Sequence, residues 1–176
     1  MPMVRFLADM TFDGQVLKQG VLKFKATSGL PGYQFPKHQC VKENGPIPEG
    51  YYKVFLANRG TAKSNGGDEC QLSPSWGIEK ISRGAEAGKC EDNWANWGSN
   101  RVRLEPADVE TQRACTPVRG GFYIHDSMKG YSHGCIEVEQ NFFIHLKSFA
   151  RTNLTGFCIL QVKYVAGKST NGGTRA

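Results

Sequence analysis

The stretch that decides the fold is Gly120-Gly121-Phe122-Tyr123-Ile124-His125-Asp126-Ser127-Met128-Lys129-Gly130-Tyr131-Ser132-His133-Gly134-Cys135-Ile136. It places two histidines and a thiol within eleven positions, ringed by glycines. A free thiol is mostly protonated at neutral pH, and an adjacent imidazole or a helix N-terminus shifts it toward the nucleophilic thiolate. Phe122 to His125 alternates as a strand, with Tyr123 and His125 on one side and Phe122 and Ile124 on the other. If Ser132 to Cys135 runs extended, His133 and Cys135 project to one face, and Gly134 between them lets a backbone or substrate approach closely. The Ser-, Lys- and Gly-rich residues between would turn the chain back and bring His125 toward Cys135. Either imidazole can serve as the base.

Downstream of Cys135 the period changes. Val138, Phe142, Leu146 and Phe149 recur at helical spacing and predict an amphipathic helix from about Glu137 to Ala150. Its N-terminal amides would lie against Cys135, favouring thiolate and offering oxyanion donors near Gly134 and Cys135. Upstream, Val4 to Leu7 and Gln15 to Lys25 read as strands, with a hairpin turn at Asp13-Gly14. Gly45-Pro46-Ile47-Pro48-Glu49-Gly50 sets a structural turn before a strand from Tyr51 to Ala57. Asn58 to Asn100 reads as a long polar loop with a short strand near Leu72 and another near Trp76 to Ile81, and it could wall a cleft. Trp76, Trp94 and Trp97 in it suit packing under the loop more than stacking on sugars. Arg101 to Leu104 and Phe157 to Val165 read as strands, Glu105 to Thr111 as a helical turn, and 166–176 as a disordered polar tail. Many strands and one or two short helices make a mainly β single domain, a sandwich or part-open barrel.

The tetrad Ser132-His133-Gly134-Cys135, preceded by His125 on a strand, resembles the active-site signature of the L,D-transpeptidase (YkuD-type) catalytic domain. Cell-wall-building members place the upstream histidine farther from the tetrad, whereas six residues intervene here, and they commonly carry Arg or Asn where this chain has Glu137. The short spacing, with the Gly45 to Tyr52 turn, is similar to that of the L,D-transpeptidase-like antibacterial effectors delivered by type VI secretion. The likeness spans roughly Phe12 to Val165, so residues 1–165 are read as the catalytic domain. It implies Cys135 as nucleophile, His125 as base and His133 as support for the site's geometry. Tyr123, Tyr131, Ser132 and Gly134 would line the substrate cleft, and Arg119 could pair with a substrate carboxylate. The implied reaction is attack on a peptidoglycan tetrapeptide stem between the L-centre of the third residue and the terminal D-alanine. The resulting thioester passes to water or to a free D-amino acid. A housekeeping enzyme making cross-links is the alternative, and no cofactor or metal is implied.

A net charge of +6 and a pI near 9.0 suggest an acidic partner. The basic residues are scattered without aromatic interleaving, which argues against nucleic acid, and an anionic cell-wall polymer fits the charge. No window carries the roughly 20 apolar residues of a membrane span, and Met1 to Asp13 is no secretory signal. Six cysteines form no C-x2-C pairs. Reserving Cys135 for chemistry leaves two disulfides among Cys40, Cys70, Cys90 and Cys115, with Cys158 as a buried thiol, which suits an oxidising compartment. Together these features imply secretion without a signal peptide and action in the periplasm of a target Gram-negative cell. The implied partners are stem peptides, a component of the secretion apparatus and a cognate immunity protein. Two rivals remain: a non-catalytic zinc module using His125, His133 and Cys135, and a papain-like amidase, which would place cysteine before histidine along the chain.

Overall fold

The computed structural model describes residues 6–66 and 70–176. The predicted strand at Val4 to Leu7 lies partly outside these residues, and Phe6 and Leu7 are not in a strand. Asp13-Gly14 turns β1 (Met10–Phe12) into β2 (Val16–Gln19), with Phe12 opposite Leu17. Asp13 Oδ1 accepts from the amides of Gln15 and Val16, and Gly14 supplies the φ of 103° that the turn requires. The run from Gln15 to Lys25, expected as one strand, is two: a second turn at Gly20 starts β3 (Leu22–Ser28), which pairs back on β2.

The remaining strands are β4 (Gly50–Phe55), β5 (Asn58–Thr61), β6 (Ile78–Lys80), β7 (Asn100–Pro106), β8 (Tyr123–His125), β9 (Ile136–Val138) and β10 (Phe157–Val162). Their hydrogen-bonded order is β4-β10-β1-β2-β3-β9-β8-β7-β6-β5, and β4 also pairs with the C-terminal half of β7. That last pairing closes eight strands into a barrel, so the expected part-open form is closed, with β6 and β5 as a flap on the N-terminal half of β7. β5 lies where only loop was expected. Its four residues, Asn-Arg-Gly-Thr, are all exposed and carry no apolar alternation to signal a strand.

Alternation along each strand fills the barrel. Met10, Phe12, Leu17, Phe24, Ala26, Tyr52, Val54, Val102, Leu104, Ile124, Ile136, Val138, Leu160 and Val162 are buried in one core. Helices α1 (Glu91–Trp94) and α2 (Val109–Gln112) are single turns, and only α3 (Asn141–Thr152) is long. It begins four residues later than the periodicity suggests, because Ile136 to Val138 is claimed by β9, where Val138 pairs with Ala26. Phe142, Phe143 and Leu146 of α3 are buried, with Phe24 edge-on to Phe142 at 5.3 Å and His145 packed on Phe24.

Segment 166–176 corrects the expectation of a disordered tail. Ser28 N donates to Thr170 O at 2.9 Å, and Thr170 Oγ1 donates to Ser28 O at 2.6 Å. Farther on, Ala176 N donates to Met128 O at 3.0 Å. Thr170 and Thr174 are buried there in hydrogen bonds along β3, while the charged side chains of the segment stay exposed.

Candidate active site

The site lies on the outer wall of the barrel. In the register of β7, β8 and β9, Val102, Ile124 and Ile136 face the core. Arg101 stands opposite His125, Arg103 opposite Tyr123, and His125 opposite Glu137 on the other face. Cys135 enters just before β9, with its thiol against the Tyr123 backbone, and it shares one cleft lining with His125. Because β8 and β9 run parallel, the connection 126–135 does not simply turn back. It crosses over and re-enters in the same direction.

Buried carboxylates hold that crossover. Asp126, 1% exposed, accepts from the amides of Ser99 (2.7 Å) and Asn100 (3.0 Å) and from Asn100 Nδ2 (3.1 Å). Glu137, fully buried, accepts from the amides of Lys129 (2.9 Å) and Gly130 (2.7 Å) and from the hydroxyls of Ser127 and Thr174. These bonds satisfy a carboxylate that would otherwise be costly to bury. Sequence reading gave Glu137 a place in the first turn of a helix. Its actual work is to hold the 126–135 crossover in place.

Residues 132–135 are not extended. Gly134 has φ of 111°, and a Cβ there would sit 2.5 Å from Arg119 Nη2 and 3.2 Å from the Phe122 ring. The close approach expected of this glycine is therefore real, and what approaches is the protein itself. Ser132 is buried, accepting from Gly29 N at 3.1 Å and donating to the Cys135 carbonyl. No helix start lies against Cys135, since β9 intervenes, so the predicted dipole support for thiolate is absent.

His125, His133, Cys135, Ser132 and Tyr131 line one cleft of about 600 Å³, whose opposite wall is Cys70, Gln71, Leu72, Asn93, Asn96 and Trp97, with Lys129 at the loop. The structure thus brings together five of the eight candidates at the cleft and Gly134 beneath it. Tyr123 is buried to the side, its hydroxyl accepting from Ser75 N at 3.0 Å and Arg103 Nη1 at 3.2 Å. Arg119 is 7% exposed and donates to the carbonyls of Gln39 (2.6 Å), Pro46 (2.7 Å) and Gly45 (3.1 Å). It braces the Gly45 to Pro48 turn beneath Gly134, away from the cleft lining.

Burial governs the electrostatics. Desolvation, then the nearby Arg101 and His133 charges, push His125 down to about 3, so its imidazole is neutral. Its Nδ1 is buried with no hydrogen-bond partner among the described residues. Cys135 is partly exposed at the cleft but enclosed by protein on its other sides. Desolvation pushes its thiol up to about 11, against the opposing pull of the Tyr123 backbone and of Arg101, Arg103 and Arg119. At rest the cleft therefore presents a neutral thiol and a neutral imidazole.

Sequence reasoning missed Trp97 and Arg101 as site residues. Trp97 packs edge-on to His125 at 5.5 Å and to Tyr123 at 5.0 Å. The Arg101 guanidinium lies 4.5 Å from the Trp97 ring and 4.4 Å from that of Tyr123, bonded to Glu79 and Ser73 O. Alternation of Arg101 and Arg103 with Val102 and Leu104 was the available signal. The cysteines pair Cys40 with Cys115 and Cys70 with Cys90 at bonding distance, leaving Cys135 and a buried Cys158 as thiols. Among the described residues no cluster of three or more His, Cys, Asp or Glu side chains is placed to hold a metal, and no helix is long and apolar enough to cross a membrane. No protein-family model and no curated protein matches the chain.

Proposed function

We propose that this protein is a cysteine enzyme acting on peptidoglycan tetrapeptide stems, an L,D-carboxypeptidase or D-amino-acid exchanger that works as an antibacterial type VI secretion effector. The observation that carries the reading is the opening of Cys135, His125 and His133 into one cleft, with Cys135 left as a free thiol. Sγ of Cys135 attacks the carbonyl carbon joining the third residue's L-centre to D-alanine, and His125 takes the thiol proton. The amides of Gly134 and Cys135 hold the oxyanion. The C–N bond breaks, His125 returns the proton to the departing D-alanine amine, and a thioester remains. Water or a free D-amino acid then attacks that thioester with His125 again as base, the C–S bond breaks, and His125 returns the proton to the departing Cys135 thiolate. Two disulfides support work in an oxidising compartment, and an immunity protein would cover the cleft in the producing cell.

Purified protein incubated with tetrapeptide muropeptides should release D-alanine and leave tripeptides, or exchange D-alanine for an added D-amino acid, as read by mass spectrometry. Unchanged muropeptides, or equal turnover by Cys135→Ala, would overturn the reading.

A further inference from the structure

We infer that Lys129 is a carboxylate anchor for the substrate in the cleft, an inference that deepens the stem-peptide reading and rests on it for the identity of the ligand. The described residues lining the cleft include amides (Gln71, Asn93, Asn96), two imidazoles and one ammonium, but no carboxylate. Lys129 Nζ donates to the neutral Asn96 Oδ1 and has no acidic partner among the described residues, which leaves two of its three donors free. The Glu137 carboxylate makes no bond to this ammonium, its four donors being the Lys129 and Gly130 amides and the Ser127 and Thr174 hydroxyls.

The backbone of Lys129 is also held in place. Met128 before it has φ of 56°, and its own amide and the next are clamped on Glu137. Behind Cys135, Arg119 is a buried cation bonded only to carbonyls, while the buried Asp126 and Glu137 carboxylates are taken up by amides and hydroxyls of the crossover. Among the described residues the lining carries this one ammonium and no carboxylate, and a lysine fixed at its base with donors to spare at its tip suits a carboxylate. A tetrapeptide stem offers two: the C-terminal D-alanine carboxylate and the side-chain carboxylate of its third residue.

The test uses the full chain with three synthetic tetrapeptides: one unmodified, one amidated at the C-terminus, and one amidated at the third residue's side-chain carboxylate. Lys129→Met should raise KM about tenfold with kcat little changed, the loss of one charge-assisted bond, and Lys129→Arg should retain most of the affinity. Whichever amidation weakens wild type equally, and weakens Lys129→Met no further, identifies the carboxylate held. The same comparison by calorimetry on Cys135→Ala needs no turnover. If no stem is cleaved, the proposed reaction falls, while carboxylate-dependent binding that Lys129→Met abolishes still sustains the anchor. Unchanged binding in Lys129→Met, or amidation losses that persist undiminished in that variant, overturns it.

Discussion

His125 and Glu137 are register partners on the parallel strands β8 and β9, facing away from the Ile124–Ile136 pair in the core, and Cys135 enters just before β9 to share a cleft with His125. One residue's slip in that register would send Glu137 to the core face, since strand side chains alternate. The crossover between the strands is held in place by Asp126 at its start and Glu137 after its end.

Removing the nucleophile tests the reading in cells. Cys135→Ala should abolish turnover and leave the melting temperature nearly unchanged, because a small side chain at a cleft wall replaces another. His125→Ala should be nearly as damaging to turnover. Sent to the periplasm of a Gram-negative host by a fused signal, the unaltered protein should be toxic and Cys135→Ala tolerated. Killing from the cytoplasm without a signal would point to another target.

Acid should destabilise the fold through His125. Its folded pKa of about 3 lies below the ordinary histidine value, so as pH falls the unfolded chain takes up the proton first. The stability this neutral imidazole contributes is present above about pH 6.5 and is lost progressively down to about pH 3, at about 1.4 kcal/mol per pH unit. Between pH 7 and 4.5, urea unfolding should show wild type losing about 2–3 kcal/mol more than His125→Asn. Equal losses in the two proteins would refute the buried neutral state.

Catalysis should not depend on a preformed thiolate. With the Cys135 thiol pushed up to about 11, alkylation by iodoacetamide should be slow at pH 7 and climb steadily toward pH 10. A plateau already reached near pH 6 would mean an imidazolium–thiolate pair instead.

The two disulfides should separate by function. By loop length, Cys40–Cys115 should contribute about 4 kcal/mol and Cys70–Cys90 about 3 kcal/mol, over sequence separations of 75 and 20. Only the second borders the cleft, where Cys70 lies and Trp94 Nε1 donates to its carbonyl at 2.7 Å. The double substitution Cys70→Ala with Cys90→Ala should therefore raise KM, whereas Cys40→Ala with Cys115→Ala should lower stability alone. Identical kinetic losses in both would remove this distinction.

Gly134→Ala should cost roughly 1–3 kcal/mol for its left-handed backbone, and more for the contact with Arg119. Activity should fall with it, because the displaced residue adjoins Cys135. A variant with unaltered melting temperature and kcat would contradict the packing described.

Much of this was decided by sequence alone. Alternation at Phe122 to His125, apolar spacing in 142–149 and the Asp13-Gly14 turn are local signals, and β8, α3 and the first hairpin follow from them. The thiol, the two imidazoles and Gly134 announced the site through chemistry that needs no tertiary context, as did the division of six cysteines into two bridges and two thiols. Tertiary structure decided what depends on partners distant in sequence. β5 has no apolar pattern and exists because β6 pairs with it, and β9 exists between β3 and β8, which takes Ile136 to Val138 from the helix. Arg119 reads as a free cation until the carbonyls of Gln39, Gly45 and Pro46 surround it. Glu137 reads as a helix-capping acid until Lys129, Gly130, Ser127 and Thr174 converge on it. Buried polar groups must find partners, and no single stretch of chain names them: that requirement holds 166–176 on the barrel and the crossover on Asp126 and Glu137, while burial against Trp97, equally non-local, keeps the His125 imidazole neutral.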